Sequence, residues 1–395
     1  MNKVLIVSSE IIKDKYSASL TTYKFIQEAS KLYEVDVLTE PMAIINFEHQ
    51  CKNIFYTNYI GYKGVFYLKV LNRIYKIIFK HNVFRKFRYF AFVKALKNIN
   101  LEAYDFVIAF GGGDFFEPLE ALANVHEKGD FCKMGYVHDP FPVDLYPSPY
   151  KEEATKKTLS QKNKLSKIFS KMDKIVFPSQ LLGEWMNSFY NFGYNKIVIV
   201  PHGIPNKIEF EKPTIVSTFL DKYKLDKNEY FLHSGTLLYH RRIEPIIEAF
   251  KIYKKAQGKD SNTKLLFIGN SQYEIKNDFK DVIIINDRMP LKLINSLSII
   301  SKGLLIIEHN GAISPFLPGK FPEYLYFNKP ILHFGPYNSE INRIVRSFSE
   351  KSYNTDNFSA PLDEVDAIVA VFLKGGVNFF HNRTLIDYFR FKYFR

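Results

Sequence analysis

Two stretches of this sequence carry basic side chains where a helix would begin. In SGTLLYHRRIEPIIEAF, residues 234–250, Arg241 and Arg242 stand in the loop or first turn of a predicted helix. Arginine gains nothing from the positive end of a helix dipole, so the pair indicates a bound anion, with a solvated pair as the alternative. In SPFLPGKFPEYLYFNKPILHFG, residues 314–335, Lys320 stands beside free amides that favour an anion. A capped helix with a solvated lysine is the alternative there, and together the two stretches could clamp one diphosphate.

The second stretch also carries the punctuation of a helix and a strand. Gly319 and Pro322 bracket a helix start, because proline suits the first helical position. Glu323 falls in the first turn, where a carboxylate suits the helix dipole. Asn328 can close the helix in the left-handed conformation. The apolar run 331–334 then predicts a short buried strand.

The elements that must position these residues alternate regularly along the chain. Short apolar runs, each typical of a buried strand, are separated by helical patterns, among them 18–32, 243–257 and 290–301. Repeated β-α-β units with continuous apolar strands predict parallel sheets that are covered on both faces. The pattern restarts after residues 202–214, a polar stretch with prolines that is typical of a linker.

The sequence therefore predicts an α/β protein of two doubly wound, Rossmann-like domains facing a central cleft. We place the domains at 1–205 and 212–375. The aromatic and basic stretch 381–395 predicts a helix outside the second domain, or packed back on the first. In open parallel sheets, ligands bind beyond the carboxyl ends of the strands, and the loops there are where a site is expected.

Composition limits the classes of partner. The 395 residues carry a net charge of +13 and are 16% aromatic, which favours an anionic partner such as a nucleotide, a phospholipid or a nucleic acid. The two cysteines, Cys51 and Cys132, have no metal or redox spacing, so a reducing cytoplasm is the default. The N-terminal MNKVLIVSSE predicts a first strand rather than a signal peptide, and no window of 18 uncharged apolar residues occurs.

Taken in order, the motifs resemble those of GT-B glycosyltransferases of the family-4 type, which are retaining and metal-independent. The resemblance rests on the two stretches above and on three further motifs. VPHGI (200–204) is similar to the motif before the interdomain linker, DKIVFPSQ (173–180) to a strand followed by a serine, and GYVHDPFP (135–142) to the His/Asp loop of the first domain. The resemblance spans nearly the whole chain.

The resemblance implies how the second domain binds its donor. Glu323 matches the second glutamate of the family's Glu-x7-Glu motif and would bind the donor ribose, whereas the first glutamate would fall at Pro315 and is absent. Residues 315–319 would then contact the donor sugar and phosphates mainly through backbone amides. The donor-binding residues of this loop are Ser314, Phe316, Leu317, Pro318 and Gly319.

The resemblance also implies the groups that stabilise the leaving diphosphate. Arg241 matches the family's basic residue for this role, with Lys320 assisting. Gly235 permits close backbone approach to the donor. In the family an arginine frequently follows this glycine, but this chain has Thr236 there, so Arg242 is expected to take the place of that arginine in binding the donor.

In the first domain, the family's Gly-Gly phosphate loop is missing. The corresponding stretch KYSASLTTY (15–23) offers Ser17 and Ser19 as phosphate contacts. His138 and Asp139 follow a strand and are assigned to the site, with a structural histidine as the alternative. The histidine would bond a sugar hydroxyl, while the leaving phosphate takes the acceptor proton and is stabilised electrostatically.

FGGGDFFEP, residues 110–118, is a candidate phosphate nest, with a tight glycine turn as the alternative. It lacks the G-x-G-x-x-G spacing, so a nicotinamide enzyme is disfavoured.

A stretch without acidic residues, 49–101, contains a basic amphipathic pattern. The pattern is typical of binding to an anionic membrane surface, and a buried helix with a solvated basic edge is the alternative. Nucleic acid is disfavoured, because no known module appears and large aliphatic residues flank the charges. The predicted membrane-binding residues are Lys69, Arg73, Lys76 and Lys80.

These inferences combine into a cytoplasmic glycosyltransferase on the inner face of the cytoplasmic membrane. It would move a sugar from a UDP- or GDP-sugar to a saccharide acceptor, lipid-linked, in surface polysaccharide assembly. Retention follows from the resemblance alone, and no metal or other cofactor is expected, since no Asp-x-Asp pair ends a strand. The alternatives are a nucleotide-sugar epimerase of the same fold and a non-catalytic membrane-bound subunit.

Overall fold

The computed structural model describes most of the chain. For residues 17–20 the description covers the backbone only. The described residues are 2–9, 11, 17–41, 51–59, 70–74, 77, 83–112, 116–125, 129–205, 207–258, 261–348 and 357–390.

The described chain divides into two compact units, each with its own parallel sheet. The first unit contains the chain up to Tyr146 and then Glu152–His202, and the second contains Pro147–Lys151 and Gly203–Arg390. The main change of unit falls within the stretch predicted as a linker. The short segment Pro147–Lys151 was not anticipated, because the sequence gives no sign that it leaves the unit around it.

A seven-stranded parallel sheet forms the centre of the first unit, in the order β3-β2-β1-β4-β5-β6-β7. Its strands are β1 (Lys3–Val7), β2 (Glu34–Thr39), β3 (Asn53–Tyr56), β4 (Phe106–Gly111), β5 (Cys132–Val137), β6 (Lys174–Phe177) and β7 (Ile197–Ile199). The described helices with assigned bounds are α1 (Ser17–Ala29), α2 (Val83–Lys97), α3 (Glu117–Asn124), α4 (Lys156–Ser170) and α5 (Gln180–Tyr190).

Both faces of this sheet are buried. Leu5 and Val7 of β1 lie in one apolar cluster, while Val4 and Ile6 lie in another. Successive side chains of a strand point to opposite faces, so the two clusters are the two layers between sheet and helices. This is the covering on both faces that the continuous apolar strands predict.

The second unit repeats the architecture with a six-stranded parallel sheet in the order β10-β9-β8-β11-β13-β15. Its strands are β8 (Tyr230–Ser234), β9 (Lys264–Ile268), β10 (Val282–Ile285), β11 (Gly303–Ile307), β13 (Ile331–Phe334) and β15 (Ser359–Ala360). A separate parallel pair is formed by β12 (Ile313–Ser314) and β14 (Asn338–Ser339). The helices described are α6 (Pro213–Tyr223), α7 (Glu244–Gln257), α8 (Leu291–Ile299), α9 (Lys320–Leu325), α10 (Glu340–Phe348), α11 (Val365–Lys374) and α12 (Arg383–Tyr388).

The predicted elements around the basic stretches are present. Helices α1, α7 and α8 match the three predicted ones within a few residues, and β13 has the predicted bounds. Asn328 has the expected left-handed backbone, with a φ of 52°. Pro322 is the third residue of α9 rather than the first. The fold tolerates it there because the first four helical N–H groups have no partner within the helix.

Helix α12 packs within the second unit. The Tyr388 ring stacks on that of Phe348 with their centres 4.3 Å apart. The Phe389 ring meets that of Phe321 edge-on with their centres 5.5 Å apart. Leu385 is fully buried in the same apolar cluster. The remaining part of the aromatic C-terminal stretch, residues 391–395, lies outside the described residues.

Candidate functional site

The sheet of the second unit changes direction between β8 and β11. From β8 the chain proceeds outwards to β9 and β10 and then returns to the other side of β8 as β11. Ligands of open parallel sheets bind at such a switch point, beyond the carboxyl ends of the strands. The residues there are Gly235 after β8 and Glu308 after β11. Gly269 at the end of β9 packs on Gly235 so closely that a Cβ would lie 2.2 Å from the Gly235 carbonyl oxygen.

The two adjacent arginines of the β8–α7 loop have different partners. Arg242 forms two hydrogen bonds with Glu244, at 2.6 and 3.1 Å, and its guanidinium lies 4.5 Å from the centre of the Tyr273 ring. Arg241 is half-buried and donates from Nε to the hydroxyl of Tyr150 at 3.4 Å. None of the carboxylates described forms an ion pair with Arg241. Its charge therefore remains available for an anion, whereas that of Arg242 is compensated.

Arg241 and Lys320 act on one buried histidine. His233 of β8 is 5% exposed, and its Nδ1 donates to the carbonyl oxygen of Leu305 at 3.1 Å. Burial lowers the pKa of His233 to about 4; the bond to Leu305 opposes this shift, and the positive charges of Arg241 and Lys320 add to it. The two residues that are predicted to bind phosphate, Arg241 and Lys320, thus both act on the imidazole of His233 in β8.

Lys320 and Glu323 form a pair on the first turn of α9. The ammonium of Lys320 lies 3.1 Å from the carboxylate of Glu323, and their side chains are 34% and 16% exposed. Burial alone would lower the pKa of Lys320, but the charges of Glu323 and Tyr324 outweigh it and raise that pKa. Lys320 therefore stays protonated at neutral pH. The hydroxyl of Tyr324 lies 3.3 Å from that of Ser234 and joins α9 to the end of β8.

The loop before α9 is anchored by buried hydrogen bonds that the sequence did not reveal. Ser314 donates to the carboxylate of Glu308, which is 3% exposed. The other oxygen of that carboxylate lies 2.7 Å from His333 Nε2, and His333 Nδ1 lies 2.8 Å from the Ser359 hydroxyl. Asn342 donates to Ser359 at 3.1 Å. These linked hydrogen bonds hold Ser314 at the start of the predicted donor loop.

The remaining residues of the predicted donor site are accessible to different degrees. Leu317 is 5% exposed, and Ser314 is fully buried. Neither side chain is accessible to a ligand. Those with exposed or half-buried surface are Gly235, Thr236, Phe316, Pro318 and Gly319. Contact with a ligand through backbone groups, as the resemblance implies, fits these burial values.

Sequence reasoning missed two aromatic residues beside Arg241. Tyr150 and His309 lie with their ring centres 4.9 Å apart, and His309 Nε2 donates to the carbonyl oxygen of Ile313 at 3.0 Å. His309 is the second residue after β11, so the strand-end rule used for His138 could have identified it. No comparable signal exists for Tyr150, which meets Arg241 across 91 residues of sequence.

In the first unit, His138 and Asp139 directly follow β5 and are half-buried. Burial, with a smaller contribution from His202, lowers the pKa of His138 to about 3. Burial raises the pKa of Asp139 to about 6. His138 is therefore neutral at pH 7 and can accept or donate one hydrogen bond, and Asp139 titrates close to neutrality. Gly112, after β4, lies beside the His138 ring: a Cβ there would be 3.4 Å from His138 Cδ2.

Several predicted residues of the first unit are only partly described. Ser17 and Ser19 begin α1, but their side chains lie outside the described part of the structure. The candidate phosphate nest is described as far as Gly112 and from Phe116 onwards. The predicted membrane-binding residues outside the description are Lys69, Lys76 and Lys80.

The described portion of the basic stretch is helical and exposes apolar side chains. Residues 70–74 form a helix in which Arg73 is exposed. Six apolar residues here and in α2 have exposed fractions between 42% and 75%, whereas Phe84, Phe92 and Leu96 of α2 are buried; the exposed ones are Val70, Leu71, Ile74, Ile77, Phe87 and Phe90. The Asn72 side chain accepts a hydrogen bond from the Val83 backbone at 3.1 Å, which links this helix to the start of α2. Helix α2 therefore has a buried apolar face, with Phe92 and Leu96 in the apolar cluster of the first unit, as well as exposed apolar side chains.

No group of three or more His, Cys, Asp or Glu residues in the described ranges has the arrangement of a metal site. None of the described helices has the length and apolarity needed to span a bilayer.

The two units, each a parallel sheet between helical layers, define the GT-B fold. No protein-family model matches the chain, and no curated protein matches it by sequence. Among solved structures, a glycosyltransferase from Rickettsia africae aligns with a TM-score of 0.62 at 11% identity, over 98% of this chain and 94% of that one. HepE from Anabaena, solved with UDP and glucose, aligns with a TM-score of 0.59 at 12% identity, over 99% and 96%.

A third similar structure is the UDP-forming α,α-trehalose-phosphate synthase of Burkholderia xenovorans. It aligns with a TM-score of 0.56 at 10% identity, over 98% of this chain and 94% of that chain. At such identities the likeness shows the fold, and the predicted GT-B architecture is confirmed. The assignment to the family-4 type is a separate matter, because it rests on the motifs of this sequence.

Proposed function

We propose that this protein is a glycosyltransferase that transfers a sugar from a UDP- or GDP-sugar to a saccharide acceptor. The second unit would bind the nucleotide-sugar and the first unit the acceptor. Solved proteins with this fold include HepE, which was crystallised with UDP and glucose, and this supports a nucleotide-sugar as the donor.

The observation that carries the proposal is the state of Arg241. It is a half-buried arginine without a carboxylate partner among the residues described, at the switch point of a parallel sheet. Its neighbour Arg242 is paired with Glu244. The lack of an acidic partner is therefore a property of Arg241 itself and not of every basic residue in the loop. An unpaired guanidinium in such a place is suited to a phosphate, which it can contact through two parallel hydrogen bonds.

In the proposed reaction, the bond between the anomeric carbon and the diphosphate oxygen breaks as the acceptor oxygen bonds to that carbon. The acceptor proton passes to the leaving phosphate, and the configuration is retained. Arg241 and Lys320 stabilise the negative charge that grows on the diphosphate, and no metal is required. Stabilisation of developing charge by fixed cations is commonly the largest contribution to catalysis.

Glu323 would bind the donor ribose, and the backbone of 315–319 the sugar and phosphates. Glu323 is 16% exposed and already holds Lys320, so one carboxylate would orient both the lysine and the ribose. In the first unit, neutral His138 would accept a hydrogen bond from a sugar hydroxyl. Its depressed pKa keeps the imidazole unprotonated throughout the physiological range.

We further propose that the acceptor is lipid-linked and that the protein is peripheral on the inner face of the cytoplasmic membrane. The support is the exposed apolar side chains of residues 70–74, Ile77 and α2, among which Ile77 is 75% exposed and Phe90 is 61% exposed. Lys86, Lys94 and Lys97 of α2 are exposed along the same helix as Phe90. Apolar side chains beside lysines favour the boundary between acyl chains and anionic headgroups. A lipid-linked acceptor in surface polysaccharide assembly would be presented there.

A donor screen tests the proposal. The purified protein is incubated with a panel of UDP- and GDP-sugars and a lipid-linked saccharide extract, and both released nucleotide and glycosylated product are measured. We expect one donor to yield both. Binding of UDP and GDP is measured in parallel by calorimetry.

Two other outcomes would contradict the proposal in distinct ways. If the nucleotide-sugar alone is converted to its epimer, the protein is an epimerase of the same fold. If neither UDP nor GDP binds, the protein is a non-catalytic subunit that has kept only the architecture.

A further inference from the structure

The segment Pro147–Lys151 places an aromatic ring beside Arg241. Although the chain on both sides belongs to the first unit, this segment belongs to the second. The Tyr150 ring lies 5.2 Å from that of His240, 4.9 Å from that of His309 and 6.2 Å from that of Phe316, all edge-on. Edge-to-face contacts of this kind are favourable and fix ring orientation.

A glycine allows the segment to lie against the loop that follows β11. A Cβ at Gly311 would be 2.5 Å from the backbone oxygen of Ser148 and 2.9 Å from His309 Cδ2. No side chain fits in that space without displacing the segment. The Asn310 backbone donates to the His240 carbonyl oxygen at 3.3 Å, which joins this loop to the one that carries Arg241. The close approach of Ser148 to Gly311 and the ring contacts of Tyr150 therefore fix where its side chain lies.

The hydroxyl of Tyr150 contacts Nε of Arg241, so both terminal nitrogens can still donate to an anion. It accepts from Nε at 3.4 Å and leaves the two terminal nitrogens without a hydrogen bond to any described residue. A guanidinium rotates freely about its long side chain unless one of its nitrogens is held. Holding Nε fixes the plane in which the terminal N–H groups point.

We propose that Tyr150 is a positioning residue, which orients the Arg241 guanidinium towards the diphosphate of the donor. The inference rests on the proposed function of Arg241 and adds a residue that no motif of the sequence indicates. Tyr150 acts through Arg241 and does not itself contact the reacting atoms.

The first test is Tyr150→Phe, which keeps the ring and its packing and removes only the hydroxyl. With the best donor of the screen, release of UDP or GDP should fall about tenfold in kcat, while the KM for the donor changes by less than twofold. Tyr239→Phe is the matched control. The Tyr239 ring is 61% exposed and lies in the β8–α7 loop that carries Arg241. The Tyr239→Phe variant should behave as the wild type.

The second test asks whether the effect passes through Arg241. In an Arg241→Ala background, adding Tyr150→Phe should change kcat by less than twofold, because the group to be oriented is absent. A wild-type rate for Tyr150→Phe, or an equal loss in both backgrounds, would overturn the inference and leave the proposed function intact. If the wild-type protein releases nucleotide from no donor, the proposed function fails and this inference fails with it.

Discussion

The difference between Arg241 and Arg242 provides the sharpest prediction. Substitution of each by alanine removes one guanidinium from the same loop, so the two variants are matched in charge and in place. Arg242 is 56% exposed and compensated by Glu244, whereas Arg241 is half-buried and has no acidic partner among the residues described. We expect turnover to depend strongly on Arg241 and weakly on Arg242.

The magnitude follows from the surroundings of each group. A cation about 4 Å from a growing phosphate charge contributes up to about 4 kcal/mol at an effective dielectric constant of about 20. Removal of one such group from an enzyme costs about 3–4 kcal/mol of transition-state stabilisation. For Arg241→Ala this corresponds to a loss of about 100- to 1,000-fold in kcat. Arg242→Ala removes an exposed ion pair with Glu244, which costs about 0–1 kcal/mol of folding stability and should leave kcat near that of the wild type.

The assay is initial-rate nucleotide release with saturating donor, alongside urea unfolding of both variants. Unfolding free energies should stay within about 1 kcal/mol of the wild type, because neither side chain belongs to an apolar cluster. Equal kcat losses in the two variants would refute the reasoning, as would a wild-type rate for Arg241→Ala. A loss explained entirely by unfolding would refute it as well.

Three further predictions concern other parts of the molecule. His233 has a pKa of about 4 in the folded protein against 6.5 for the free side chain, so the unfolded chain binds more protons between these values and stability falls as pH drops through that window. From pH 7.5 to pH 5 the wild type should lose about 2 kcal/mol more unfolding free energy than His233→Gln, and equal losses would contradict the burial argument. Glu323→Ala should weaken UDP or GDP binding by at least about tenfold in calorimetry, and unchanged affinity would remove Glu323 from the site. Substitution of Lys69, Arg73 and Lys76 by glutamate should release the protein from phosphatidylglycerol liposomes, whereas substitution of the exposed Lys222 and Lys227 by glutamate should not. Equal co-sedimentation of the first variant and the wild type would show that this basic face is only solvated.

The sequence was sufficient for the architecture and for the loops at the strand ends. Strand and helix periodicities are local, so the strands, the helices and the loops that carry Arg241 and Lys320 could be located without coordinates. That these two residues bind a ligand stays a prediction. The surroundings of each residue could not be predicted in this way. Glu244 stands two residues after Arg242, yet nothing in the pattern indicates which of the two arginines it compensates.

Long-range contacts explain what was missed. His333 and Ser359 lie 26 residues apart and meet only because β13 and β15 are neighbours in the sheet. Their network with Glu308 depends on that pairing, and no spacing rule in the sequence reports it. The exposure of Ile77 and Phe90 was likewise hidden, because an amphipathic pattern does not reveal what covers its apolar face.

The membership of Pro147–Lys151 in the second unit has a practical consequence. A fragment starting at Gly203 would look like a natural way to obtain the second unit alone. It would lack five residues that fill a space beside Gly311, and solvent would replace the Tyr150 ring there. Ligand affinities measured on such a truncated protein would describe an incomplete half, and supplying the missing peptide in trans would be the way to restore it.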